Sequence, residues 1–187
     1  MKFQPSRFIL AVFILIFAVP VLAGCSSEQE PAQPQIEAIN RLRSALDLPI
    51  ASLEFVEMTF DPNSPNGNLE VALYQDTDGR KYYVDPISNQ VVEMDARVLL
   101  DSLAPLTTSM SEEALRGKAL RFMLAAMPGF ETLQTSWVYE EGGKIGNHFF
   151  RWVDPQAPGQ SNPTRAQIAF DDSGLLFAYY NTLILEK

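Results

Sequence analysis

A chain of 187 residues, 47% hydrophobic and 20% charged, with 23 acidic against 14 basic residues, reads as a compact acidic body of formal net charge −9. That balance argues against nucleic acid and anionic lipid surfaces as partners, both of which need a basic face. Cys25 is the single cysteine, so no internal disulfide can form.

Lys2 and Arg7 supply a positive N-terminal region, and Phe8 to Leu22 form an unbroken apolar run. A membrane-spanning helix needs about 20 apolar residues to cross about 30 Å of hydrocarbon, and this run is shorter and carries Pro20 near its end. It has the form of a secretion signal occupying residues 1–24. The small residues Ala23 and Gly24 then precede Cys25. Leu22-Ala23-Gly24-Cys25 resembles the lipobox of bacterial lipoproteins. The resemblance implies that the Cys25 thiol is diacylated and that Cys25 becomes the first residue of the mature chain. Each buried acyl methylene contributes about 0.8 kcal/mol, so two or three chains would anchor the protein durably. The implied location is the cell envelope, on the extracytoplasmic side of a bacterial membrane. Ser26 at the second mature position favours the outer membrane where there is one. Losing Lys2 and Arg7 leaves 12 basic against 23 acidic residues, a net of about −11.

Residues 25–35 are the lipidated cysteine and a tether, because Ser26 to Gln35 is polar and Pro-punctuated without apolar periodicity. From Ile36 the pattern is helical, with Ile36, Ile39, Leu42 and Leu46 on one stripe and Pro49 closing it. Leu53 to Phe60 is a strand, and Asp61 to Gly67 is a dense turn cluster. Strands follow at Leu69 to Tyr74, Lys81 to Asp85 and Val91 to Met94, separated by turns at Asp76-Thr77-Asp78-Gly79 and Pro86-Ile87-Ser88-Asn89. Asp95 to Pro105 permits a short helix, and Thr107-Thr108-Ser109 ends it.

Ser111, ahead of Glu112 and Glu113, opens the longest helical segment, which runs to Met127 and stops at Pro128-Gly129. Beyond it the pattern predicts a strand over Thr132 to Tyr139 and a turn at Glu140 to Lys144. Further strands are expected at His148 to Val153, Arg165 to Phe170 and Leu175 to Leu185. A long loop from Asp154 to Pro163 and a turn at Asp171-Asp172-Ser173-Gly174 connect them.

The order of elements repeats at about 80 residues, Ile36–Pro49 corresponding to Leu115–Pro128. Tyr82, Val84, Asp85 and Asn89 in the first half, and Ile168, Asp171 and Gly174 in the second, follow a strand-Asp-turn-Gly-strand pattern. This pattern resembles the PepSY domain, whose repeats run from a helix into antiparallel strands and end in such a hairpin. The expected architecture is α+β, with two repeats over residues 36–105 and 106–187, each a helix packed on a small antiparallel sheet. Asp85 and Asp171 are read as turn formers, since Asp accepts turn amides and Gly or Asn tolerates positive φ. The resemblance implies an extracytoplasmic module with peptide-binding or peptidase-modulating roles and carries over no catalytic residue.

His148 is the only histidine, no Gly-x-Ser-x-Gly elbow is present, and zinc would lack its usual His and Cys ligands. Asp61-x-Asn63 and Asp76-x-Asp78-Gly79 lack the spacing and closing Glu of an EF-hand, so no metal or cofactor is expected. Aromatic residues gather in the second half. Alternation puts Phe150 and Trp152 on one strand face and Phe149 on the other. Trp137, Tyr139, Phe150, Trp152 and Tyr179 are the candidate binding face, the alternative being a core and an inter-repeat contact. The functional expectation is a membrane-anchored, non-enzymatic module binding a peptide or an envelope protein. The alternatives are a structural envelope lipoprotein and a hydrolase using acidic residues.

Overall fold

Strand pairing runs without a break across the whole molecule in the computed structural model, which describes residues 32–61, 69–100, 109–144, 146–156 and 165–182. The chain enters through α1 (Gln33–Ser44) and four strands, β1 (Leu53–Phe60), β2 (Glu70–Asp76), β3 (Lys81–Asp85) and β4 (Gln90–Asp95). A 3-10 turn (Arg97–Leu99) follows, and then α2 (Glu112–Ala126) and α3 (Phe130–Ser136). β5 (Val138–Lys144), β6 (Asn147–Val153), β7 (Arg165–Asp171) and β8 (Leu176–Asn181) complete the order.

The fold is α+β with one antiparallel sheet of order β1-β2-β3-β4-β8-β7-β6-β5. Two separate small sheets were expected. Instead β4 pairs with β8 through Glu93↔Tyr180, Met94↔Tyr179 and Asp95↔Ala178, joining the strands into one layer. An unpaired strand edge leaves backbone donors and acceptors open, and this pairing satisfies both central edges at once.

The helices cover one face. Ile39 and Leu42 of α1, Leu115, Ala119, Phe122 and Met123 of α2, and Phe130 of α3 share a core with Tyr82, Met94, Ile168, Phe170 and Tyr179 from the sheet. α2 begins as its sequence requires: the Ser111 hydroxyl accepts the Ala114 amide at 3.2 Å, with Glu112 and Glu113 in the first turn.

Three boundaries differ from expectation. α1 begins at Gln33, inside the predicted tether, because Gln35 is buried and accepts a hydrogen bond from the Tyr74 hydroxyl. Thr132 to Ser136 is helical rather than extended, since Gly129 adopts φ 84° and turns the chain so that Phe130 packs edge-on to Trp152 at 4.9 Å. Glu140 to Lys144 is strand rather than turn, paired residue for residue with Asn147 to Arg151, and the reversal falls at Gly146 with φ 89°. Residues 1–31, which hold the expected signal and Cys25, lie outside the described residues, as do the expected turn after Asp61, the expected boundary at 106–108, most of the expected 154–163 loop and the chain after Thr182.

The turn aspartates act as their sequence implies. Asp171 Oδ1 accepts the amides of Ser173 and Leu175 at 2.9 and 2.8 Å around Gly174, whose φ is 81°. Asp85 accepts those of Ile87 and Ser88, and Asn89 takes φ 55°. Asp76 repeats the Asp171 geometry, accepting Asp78 and Arg80 amides at 3.0 and 2.9 Å around Gly79. The other oxygen of Asp76 lies in a buried ion pair with Arg43 of α1, and the Tyr82 hydroxyl donates to it at 2.9 Å. The α1 helix is thus fixed to the β2–β3 hairpin by charge as well as by packing.

Candidate functional site

The five aromatic residues of the expected binding face divide between core and surface. Phe150, Trp152 and Tyr179 are 1%, 4% and 2% exposed and lie beneath the helices, which corrects their assignment as a binding surface. Their strand face is the one the helices cover. Trp137 is not on a strand; it follows α3 and packs half-buried against the same core. Tyr139 alone is exposed, tilted onto Trp152 at 5.4 Å.

Tyr139 belongs instead to a surface charge cluster at the β5 edge. Arg116 grips Glu141 with a two-pronged fork, Nε to Oε2 at 2.8 Å and Nη2 to Oε1 at 2.6 Å, and the Tyr139 hydroxyl donates to Oε2 at 2.5 Å. The Arg116 guanidinium, with the Glu112 carboxyl and the Tyr139 hydroxyl, pulls the Glu141 pKa down to about 2. The hydrogen bond with Glu141 raises that of Glu112, whose carboxyl is fully exposed. His148 stands nearby, Nε2 at 2.8 Å from Asp172 Oδ1.

The opposite face of the sheet, which carries no helix among the described residues, holds the more enclosed arrangement. Cross-strand pairing sets Tyr83, Glu93, Tyr180, Gln167 and Arg151 in a line from β3 to β6, each opposite the next. One step along, Asp95, Ala178, Ala169 and Phe149 form a second line on the same face. The register shifts between Ala169 and Phe170, so β8 carries an extra residue there, and Phe177 turns to meet Phe149 edge-on at 6.1 Å. Bulges of this kind re-aim side chains beside functional surfaces.

A cavity of about 250 Å³ opens over the β4–β8 seam between Glu93, Asp95, Arg97, Phe149, Arg165, Gln167, Phe177 and Tyr180. Its floor is aromatic and alanine; its walls are charged. Arg97 is committed to Asp95 through Nε and Nη2 at 2.9 and 2.6 Å. Arg151 donates to Gln167 at 2.9 Å and sits 3.5 Å from Glu140. Arg165 lies over the Tyr180 ring, 5.4 Å from its centre. Burial, and then the acidic Asp61 and Glu93, push the Tyr180 phenol up, so it remains a protonated donor at neutral pH. Burial and Glu93 do the same to Tyr83.

Alternation in the sequence set Phe149 apart from Phe150 and Trp152, so the existence of a second aromatic face was legible. The participation of Tyr83, Glu93 and Tyr180 was not, because it depends on a β4–β8 pairing between residues far apart in the chain. The seam can hold an apolar group with a polar end. Among the described residues no group of three or more metal-ligating side chains occurs, and no helix is long and apolar enough to cross a membrane. Comparison of the sequence and structure with family models, curated proteins and solved structures gives no match.

Proposed function

We propose that this chain is a lipid-anchored lipoprotein on the extracytoplasmic side of a bacterial envelope membrane, acting as a non-enzymatic module that binds a peptide or a segment of an envelope protein. The observation that carries the binding reading is the aromatic-floored cavity across the β4–β8 seam, formed by Phe149, Phe177 and Tyr180 and walled by charge. Concave sites with an apolar lining and a few convergent polar groups are where ligands are held.

The address rests on Leu22-Ala23-Gly24-Cys25 and the apolar run before it. The PepSY-like repeat reading draws support from strand order, since β1-β2-β3-β4 meets β8-β7-β6-β5 as a palindrome. The Asp85 and Asp171 turns lie at the corresponding hairpins, β3–β4 and β7–β8.

Two experiments test the proposal. Radiolabelled fatty acid should enter the wild-type protein and not Cys25→Ser, and equal labelling of both would overturn the lipid assignment. A photo-crosslinking residue at Phe149 should capture envelope peptides, whereas one at Ile87, 91% exposed in the β3–β4 turn, should not. Equal adducts at both positions, or none at either, would remove the seam as a binding site and leave the structural-lipoprotein alternative.

A further inference from the structure

Two arginines, Arg97 and Arg165, line the seam cavity, with Arg151 beside them, and the three are not equivalent. Arg97 has Asp95 and Arg151 has Gln167 and Glu140, whereas Arg165 has no carboxylate within ion-pair distance among the described residues. Its Nε is buried and, among the described residues, without a hydrogen-bond partner. A buried donor lacking an acceptor carries its full desolvation cost, and such groups are rare enough in folded proteins to call for an explanation.

The backbone of Arg165 is held firmly. Its amide donates to the Thr182 hydroxyl at 2.6 Å, and its carbonyl accepts the Thr182 amide at 2.9 Å. The side chain is laid over Tyr180, so the guanidinium is placed at the cavity wall rather than left to wander in solvent. Burial, and then the neighbouring charge of Arg151, push its pKa down, the direction expected of a cation with no counter-charge.

We infer that Arg165 is the anchor for a carboxylate at the end of an apolar or aromatic ligand group, the group lying on Phe149, Phe177 and the Tyr180 ring. The guanidinium fork matches a carboxylate with two parallel hydrogen bonds, and no carboxylate among the described residues engages that of Arg165. The acidic wall fixes the direction of the ligand. Glu93 lies on β4, two strands from Arg165 on β7, so the negative end belongs on the β7 side and the apolar body crosses β8. This inference rests on the seam being the binding site, and it adds which charge the site reads.

The test uses full-length protein in detergent and three probes: N-acetylphenylalanine, its uncharged primary amide, and an N-acetylated aspartyl-phenylalanine amide, followed by amide shifts of Phe149, Phe177 and Ala178. N-acetylphenylalanine should bind at least tenfold more tightly than the amide, Arg165→Met should abolish that difference, and Arg165→Lys should keep part of it. Wild-type binding of the aspartyl probe with the same preference over the amide would identify a side-chain carboxylate as an equally good ligand; its absence would identify a terminal one. Equal affinity for acid and amide in the wild type would overturn the role of Arg165 while leaving the seam a binding site. No shift with any probe would overturn both.

Discussion

Arg43 shows how one side chain can determine the placement of a helix. Its guanidinium is 2% exposed and donates to Asp76, to the Tyr82 hydroxyl at 2.7 Å and, through Nε, to the Pro49 carbonyl at 3.0 Å. Breaking one side of a buried pair strands the other charge, so Arg43→Ala should cost about 3–5 kcal/mol, read as a lowered urea midpoint. Burial alone would raise the Asp76 carboxyl pKa, but the Arg80 amide and the Tyr82 and Arg80 side chains outweigh it and hold it below its ordinary 3.8. Because the folded value is the lower, the stabilisation is complete above the unfolded value and is lost as pH falls through the folded one. Wild-type stability should therefore drop on acidification below about pH 4, and Asp76→Asn should flatten that part of the profile. On the surface the same chemistry is cheap. Arg116→Met should raise the Glu141 carboxyl from about 2 in an NMR titration, while stability scarcely moves, because the pair is exposed to solvent. Trp152, by contrast, is core, and Trp152→Ala should cost about 3–5 kcal/mol in chemical denaturation.

Elements divide by how much of their instruction is local. α2 was legible from Ser111 to Pro128 because its cap, its acidic first turn and its apolar stripe agree. α3 was not: Thr132, Thr135 and Ser136 favour extended or turn conformations, and its seven residues become helical through the packing of Phe130 against Trp152. The β5 strand was misread for the opposite reason. Gly142 and Gly143 carry turn chemistry, yet β6 pairs with them, and a Cβ on Gly143 would meet the Asn147 carbonyl at 2.4 Å. Gly174 is legible as a turn residue and is constrained by its φ of 81°, while the flexible Met110 side chain, with Sδ 2.3 Å from an added Cβ, would have to move aside. Gly174→Ala should destabilise by about 1–3 kcal/mol, and more than Ser111→Ala, which loses only a cap of about 1 kcal/mol. Thermal melts of the two variants side by side check that order.

At the scale of the molecule, seven of the eight described strands and their antiparallel grammar were legible, but β5 and the union of the strands in one sheet were not. The local pattern is compatible with two sheets as readily as with one; the choice is made by the complementary edges of β4 and β8, which no local pattern encodes. A shared sheet and core predict one cooperative transition. Both tryptophans, Trp137 and Trp152, lie in the second half, so their fluorescence and the far-UV signal of the whole chain should give coincident urea midpoints. Two separated midpoints would mean that the halves unfold independently despite the seam.

The strand order also places a clock in the fold. β8 comes last in sequence among the described strands and is a central one in space, seated between β4 and β7. Until it has emerged, every earlier strand can be present and the sheet still consists of two open pieces, each with an unfilled edge. Late completion by a distant pairing is slow and exposes edges to other chains. The single layer, and with it the seam cavity, therefore comes into being only when β8 has paired with both β4 and β7.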